Sequence, residues 1–120
     1  MTTDGDSDLV LSGRLGLARL AERVIARTDG VTGTSGPAGR WQTVGAQQAI
    51  RGVLAVEDAQ GRVDLELHLV VRWPPRMPLE QLGGRIREDL RRSAGTVGLR
   101  ARLGAVSVAF DDVLSEIESV

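Results

Sequence analysis

The sequence predicts an α+β two-layer sandwich, a mostly antiparallel β-sheet with two helices on one of its faces. Three observations carry that prediction. Residues 62–73 alternate apolar and polar side chains almost without a break. Two other stretches, near 17–25 and 79–90, repeat apolar residues at the spacing of one helix face. Turn-forming glycine and proline clusters separate these segments. The expected order is β-α-β-β-β-α-β, with a short helix at the C-terminus.

The first element expected is an edge strand, Leu9-Val10-Leu11, after which Ser12 is placed to cap a helix. Leu17, Leu20, Ala21, Val24 and Ile25 then follow the i, i+3, i+4, i+7, i+8 rule. Gly30 ends this helix, because glycine takes the left-handed conformation of a C′ residue at little cost. A short strand is expected at 31–34. The glycine- and proline-rich run 37–45 reads as a poorly ordered loop.

Residues 49–57 read as one strand, Asp58-Ala59-Gln60-Gly61 as a turn, and 62–73 as the long strand. In that strand Val63, Leu65, Leu67, Leu69 and Val71 share one face, each contributing about 1.5–3 kcal/mol when fully buried. A slip of one residue exposes all five, so this strand sets the register of the sheet. Pro74-Pro75 ends it, since proline donates nothing to a ladder.

Pro78 suits the first turn of a second helix, which turns Leu79, Leu82, Ile86 and Leu90 inward. Gly83-Gly84 in its interior predicts a close approach of its backbone to the sheet, with Gly95 or Gly98 ending it. A last strand is expected at 99–110. Beyond it Phe110, Val113, Leu114 and Ile117 return to helical spacing, with Asp111 or Asp112 as the cap, which makes the tail either a short helix packed on the body or a docking segment. The organisation expected is an acidic disordered tail at 1–8, a domain at 9–113 and an amphipathic C-terminal tail at 114–120.

At 120 residues with 42% hydrophobic content, the chain is one domain with enough core to need no disulfide or metal staple. The absence of cysteine removes disulfides, thiolate nucleophiles and thiolate metal sites together, and points to the cytoplasm. The acidic start is the opposite of a signal peptide, and no apolar run approaches the roughly 20 residues that span a bilayer. Any membrane contact is therefore expected to be peripheral or through a partner.

Charge is laid out unevenly. Residues 14–102 hold all fifteen basic residues, every one an arginine, against nine acids, for a net +6. The two ends hold seven acids and no base, for −7. Codon bias of a GC-rich genome explains lysine-free composition most simply and suggests an actinobacterial origin. Arg19, Arg23 and Arg27 form a basic stripe at i+4 spacing along the first helix. Like charges at this spacing cost a few tenths of a kcal/mol, roughly, so the stripe is mildly unfavourable without a partner. An acidic protein, an anionic membrane surface, self-association through the acidic tails and a plain solvated helix face are the readings it leaves open.

Chemistry is sparse. The single histidine, His68, falls on the less apolar face of the long strand and reads as an ordinary surface residue. The carboxylate pairs Glu57-Asp58, Glu88-Asp89 and Asp111-Asp112 read as solvation or caps. The glycines at 30, 33, 36 and 39 match neither the P-loop nor the dinucleotide fingerprint. No catalytic residue, metal ligand or cofactor is assigned. Nucleic-acid binding through the arginine stripe is the alternative function, weakened by an aromatic content of 2% that leaves no stacking platform. The partner-binding candidates are Arg19, Arg23, Arg27, His68, Val113, Leu114 and Ile117.

The run VLAVE (53–57), its turn and RVDLELHLVV (62–71) resemble the alkaline-shock-protein family of envelope-stress proteins. So does GLARLAERVIARTDGVTGTSG (16–36), which ends in a similar Gly-Val-x-Gly-x-Ser-Gly turn, and so does AVSVAFDDV (105–113). These segments keep the family's order over residues 9–113. Two departures are Ser107, where the family usually has asparagine, and a longer connection at 37–48. The resemblance implies a non-enzymatic stress protein of Gram-positive bacteria that self-associates and binds a protein partner. In some members that partner is a small membrane protein holding them at the cytoplasmic face.

Overall fold

The computed structural model describes residues 13–34, 42–45 and 48–115. It is an α+β sandwich with two helices on one face of a mostly antiparallel sheet. The elements are α1 (Gly13–Arg27), β1 (Val31–Thr34), β2 (Gln42–Gly45), β3 (Gln48–Arg51), β4 (Val53–Glu57), β5 (Val63–Trp73), α2 (Leu79–Thr96), a 3₁₀ turn (Arg100–Arg102) and β6 (Leu103–Ser115). The expected strand at 9–11 and the cap at Ser12 lie outside the described residues.

β5 is the centre of the sheet, as its alternation predicts. Val63, Leu65, Leu67, Leu69 and Val71 are all buried against the helices. α1 contributes Leu17, Leu20, Ala21, Val24 and Ile25 to the same core, and α2 contributes Leu82, Ile86, Leu90 and Ala94. α1 closes with a hydrogen bond from the Thr28 hydroxyl to the Val24 carbonyl, 2.6 Å, and the chain turns at Gly30 with φ +92°.

β1 and β4 lie end to end along one edge of β5, both antiparallel to it. Val31 pairs with Val71 and Thr34 with Leu69, and Val53 then takes over opposite Leu67. One long edge strand is thus interrupted by an excursion that contains the antiparallel hairpin β2–β3. The loop expected at 37–45 contains strand β2, and the single strand expected at 49–57 is two strands. The cause is Gly52. Its φ of +77° breaks the extended chain, its carbonyl accepts the His68 amide at 2.8 Å, and a Cβ there would run into the Thr34 side chain.

After β5 the chain crosses over through α2 and returns as β6, parallel to β5 along its other edge. A parallel return needs such a crossover. α2 packs on this strand at Gly83, where a Cβ would lie 3.8 Å from Val108 and Phe110, an ordinary van der Waals contact. Gly84 meets nothing within 4 Å, so neither glycine is required by the close approach to the sheet that was expected of the pair.

Two expectations for the C-terminal third are corrected. The strand begins at Leu103, because Gly98 (φ +78°) and a 3₁₀ turn occupy the chain before it. It also continues to Ser115, through the residues where a helix capped at Asp111 or Asp112 was expected: Val113 pairs with Val71 and Leu114 with Arg72. The ladder offered by the far end of β5 overrides a helical spacing of only a few residues. The boundary drawn at 113 therefore falls inside a strand, and Ile117 lies outside the described residues.

Candidate binding surfaces

Alternation places Val56, Asp64, Glu66, His68, Ser107 and Ala109 on the sheet face turned away from the helices. His68 does not behave there as the surface residue it was expected to be. It is 5% exposed. Its Nδ1 makes a 2.6 Å hydrogen bond with Asp111 Oδ2, and its Nε2 stands 3.3 Å from Glu66 Oε1, an electrostatic contact without hydrogen-bond geometry. Asp111 reaches it because β6 bulges at this point: Phe110 opposes Leu69 and Asp112 opposes Val70, leaving Asp111 as the extra residue. An imidazole with a carboxylate at each nitrogen is a clamp between β5 and β6. Nothing in the sequence pairs residues 43 positions apart, so Asp111 was missed as its partner. Glu66, two residues away on the same face of β5, stands beside it as the alternation already implies.

The arginine stripe is split in the fold. Arg27 leans across to α2, where its guanidinium bonds both Asp89 oxygens, at 2.9 and 3.3 Å, and the Ser93 hydroxyl at 2.6 Å. The Arg27 bond holds the Asp89 carboxyl below the usual carboxylate range, and Asp89 in turn raises Arg27. Arg19 is half-buried, whereas Arg23 is exposed and makes no ion pair among the described residues. Between the helices runs a groove of about 500 Å³, floored by Leu20 and Val97 and walled by Arg23, Arg27 and Arg92. The stripe was legible at i+4 spacing, but Arg92 joins it only because α1 and α2 pack side by side.

The third surface is the outer edge of β6. Among the described residues β6 pairs only with β5, and no described strand lies on its other edge. Leu103 to Phe110, LGAVSVAF, is eight residues without a charge. Beyond it Val113 and Leu114 are 48% and 56% exposed, close to an exposed Trp73 in the opposite position to Ser115. Edge strands are ordinarily blunted by charges, proline or cover. Here the acids begin only at Asp111.

Among the described residues no group of His, Asp and Glu is arranged to hold a metal ion, and no helix is long and apolar enough to cross a membrane. The chain matches no protein-family model, no curated protein and no solved structure.

Proposed function

We propose that this chain is a non-enzymatic envelope or alkaline stress protein, a scaffold or adaptor that associates with itself and with a protein partner. Held by a small membrane protein, it would work at the cytoplasmic face of the membrane. The resemblance of segments 16–36, 53–71 and 105–113 supports the family reading. The observation that carries self-association is the uncharged outer edge of β6, on which no described strand lies.

An unpaired row of backbone donors and acceptors is a template for a second strand. In the second copy the same stretch supplies it, paired antiparallel about a two-fold axis. Residues without charge tolerate facing themselves, whereas like charges set opposite each other would not. Nucleic-acid binding is the weaker reading, since Arg27 is committed to Asp89 and Arg92 to Glu88 at 3.3 Å.

Light scattering after size exclusion tests the proposal. The wild-type chain should be dimeric or larger in low and high salt alike, and Ser107→Lys, which puts a charge on the outer edge, should make it monomeric. A wild-type monomer at every concentration would sink self-association. A dimer that appears only after removal of residues 1–12 would assign the edge to the chain's own N-terminal segment.

A further inference from the structure

We infer that this chain docks on itself in a second way, head to tail: the outer helix face of one copy, through Arg85 and Arg91, seats on the outer sheet face of the next, at Asp64 and Glu66. The contact goes beyond the pairing of β6 edges and does not depend on it.

The two layers of the sandwich carry opposite charge. α1 and α2 together hold eight arginines against four acids. On the solvent side of α2, Arg85 and Arg91 are exposed and make no ion pair among the described residues, while Glu88 between them is taken by Arg92 at 3.3 Å. On the opposite side of the molecule, Leu54, Val56, Asp64, Glu66, Ala105 and Ser107 line a shallow hollow of about 440 Å³ that holds two carboxylates and no base.

That hollow suits an arginine. Asp64 Oδ1 accepts the Ala105 amide at 2.9 Å, which fixes this carboxylate on the sheet face. Val56, 56% exposed, offers apolar surface beside it for an arginine stem, and the short side chains of Ala105 and Ser107 leave the approach clear. Asp64 and Glu66 lie about 7 Å apart on one side of β5. Arg85 and Arg91 lie about 9 Å apart along α2, a difference that their long side chains absorb.

A second copy is the occupant because of where the two faces lie. The sheet and a helix about 10 Å thick stand between them, so a chain's own Arg85 cannot reach its own Asp64. A polyanion would meet the arginines and leave the carboxylates unused, and a basic peptide would do the reverse. Another copy meets both, being basic on one side and acidic on the other. Such a contact joins unlike surfaces and leaves a free face at each end, so that further copies can add.

Sedimentation of the full-length chain in low and high salt tests the inference, since exposed charges attract less as salt screens them. Wild type should grow beyond its high-salt size in low salt. Val56→Lys with Glu66→Lys, and separately Arg85→Glu with Arg91→Glu, should each weaken that growth about tenfold while circular dichroism stays unchanged. Mixing the two variants should restore it, because the reversed sheet face of one now fits the reversed helix face of the other. Val56→Lys with Ala105→Lys, which touches neither carboxylate, repeats the first arm should the Glu66 variant fail to fold. Wild type of one size in both salts overturns the inference, as does a mixture that fails to recover. Growth that needs Arg85 and Arg91 but ignores every change in the hollow also overturns it, and assigns the arginines to another anion. The β6 edge is read separately, in high salt: a wild-type monomer there that still grows in low salt removes the edge pairing and keeps the docking.

Discussion

Asp111, the extra residue of the β6 bulge, reaches across to His68 on β5 and holds its Nδ1 at 2.6 Å. The bond ties the outer part of β6 to the central strand just where the register shifts. Beyond it lie Val113 and Leu114, the exposed end of the outer edge. The clamp therefore bears on whether that end is presented as a strand.

Asp111→Ala should destabilise the chain by about 1–3 kcal/mol, the cost of leaving a buried polar group without its partner. Urea unfolding measures the loss. Hydrogen exchange should show the Val113 and Leu114 amides losing protection more than those of β5. Uniform loss across β5 and β6 would mean that Asp111 supports the whole sheet rather than its end.

The Arg27–Asp89 pair predicts a small pH dependence. The carboxyl of Asp89 is held below its ordinary value by the Arg27 hydrogen bond. Its stabilisation is therefore present above the unfolded carboxyl's pKa, about 3.9, and is lost as pH falls through the lower folded value. Both side chains are partly solvated, 54% and 27% exposed, which keeps the pair below about 1 kcal/mol. Denaturation curves from pH 7 to pH 2 should show Asp89→Asn less stable than wild type at neutral pH, the two converging in acid. An unchanged gap at pH 2 would show that the cost is not ionic.

Two glycines should respond with opposite signs. Gly84 stands in the interior of α2 with open space around a Cβ, so Gly84→Ala should stabilise by about 0.5–1 kcal/mol. Gly52→Ala should destabilise, because its φ is positive and a Cβ would collide with Thr34. Thermal melts of the two variants decide this. A neutral Gly52→Ala would show that the break between β3 and β4 tolerates a side chain.

Val113→Ser and Leu114→Ser should leave stability within about 0.5 kcal/mol, since exposed side chains away from special features rarely matter more. Leu67→Ala, fully buried at the centre of β5, should cost about 2–5 kcal/mol. If the two serine variants cost as much as Leu67→Ala, the end of β6 is core rather than a presented surface.

The sequence by itself determined the two helices, the central strand and the two-layer arrangement. Each is written in a repeat of two or of three to four residues that neighbouring side chains enforce locally, as in the run from Val63 to Val71 or from Leu17 to Ile25. The arginine stripe and the uncharged run from Leu103 to Phe110 are legible for the same reason. Tertiary structure decided what depends on pairing across distance. Gly52 splits one expected strand because it must pass Thr34 and accept the His68 amide. Val113 and Leu114 join a strand because the free end of β5 offers them a ladder. Arg27 closes on Asp89, and His68 becomes a buried clamp, only once elements far apart in the chain lie side by side. No local period encodes such a contact, because the free energy that selects it arises only when the partners have met.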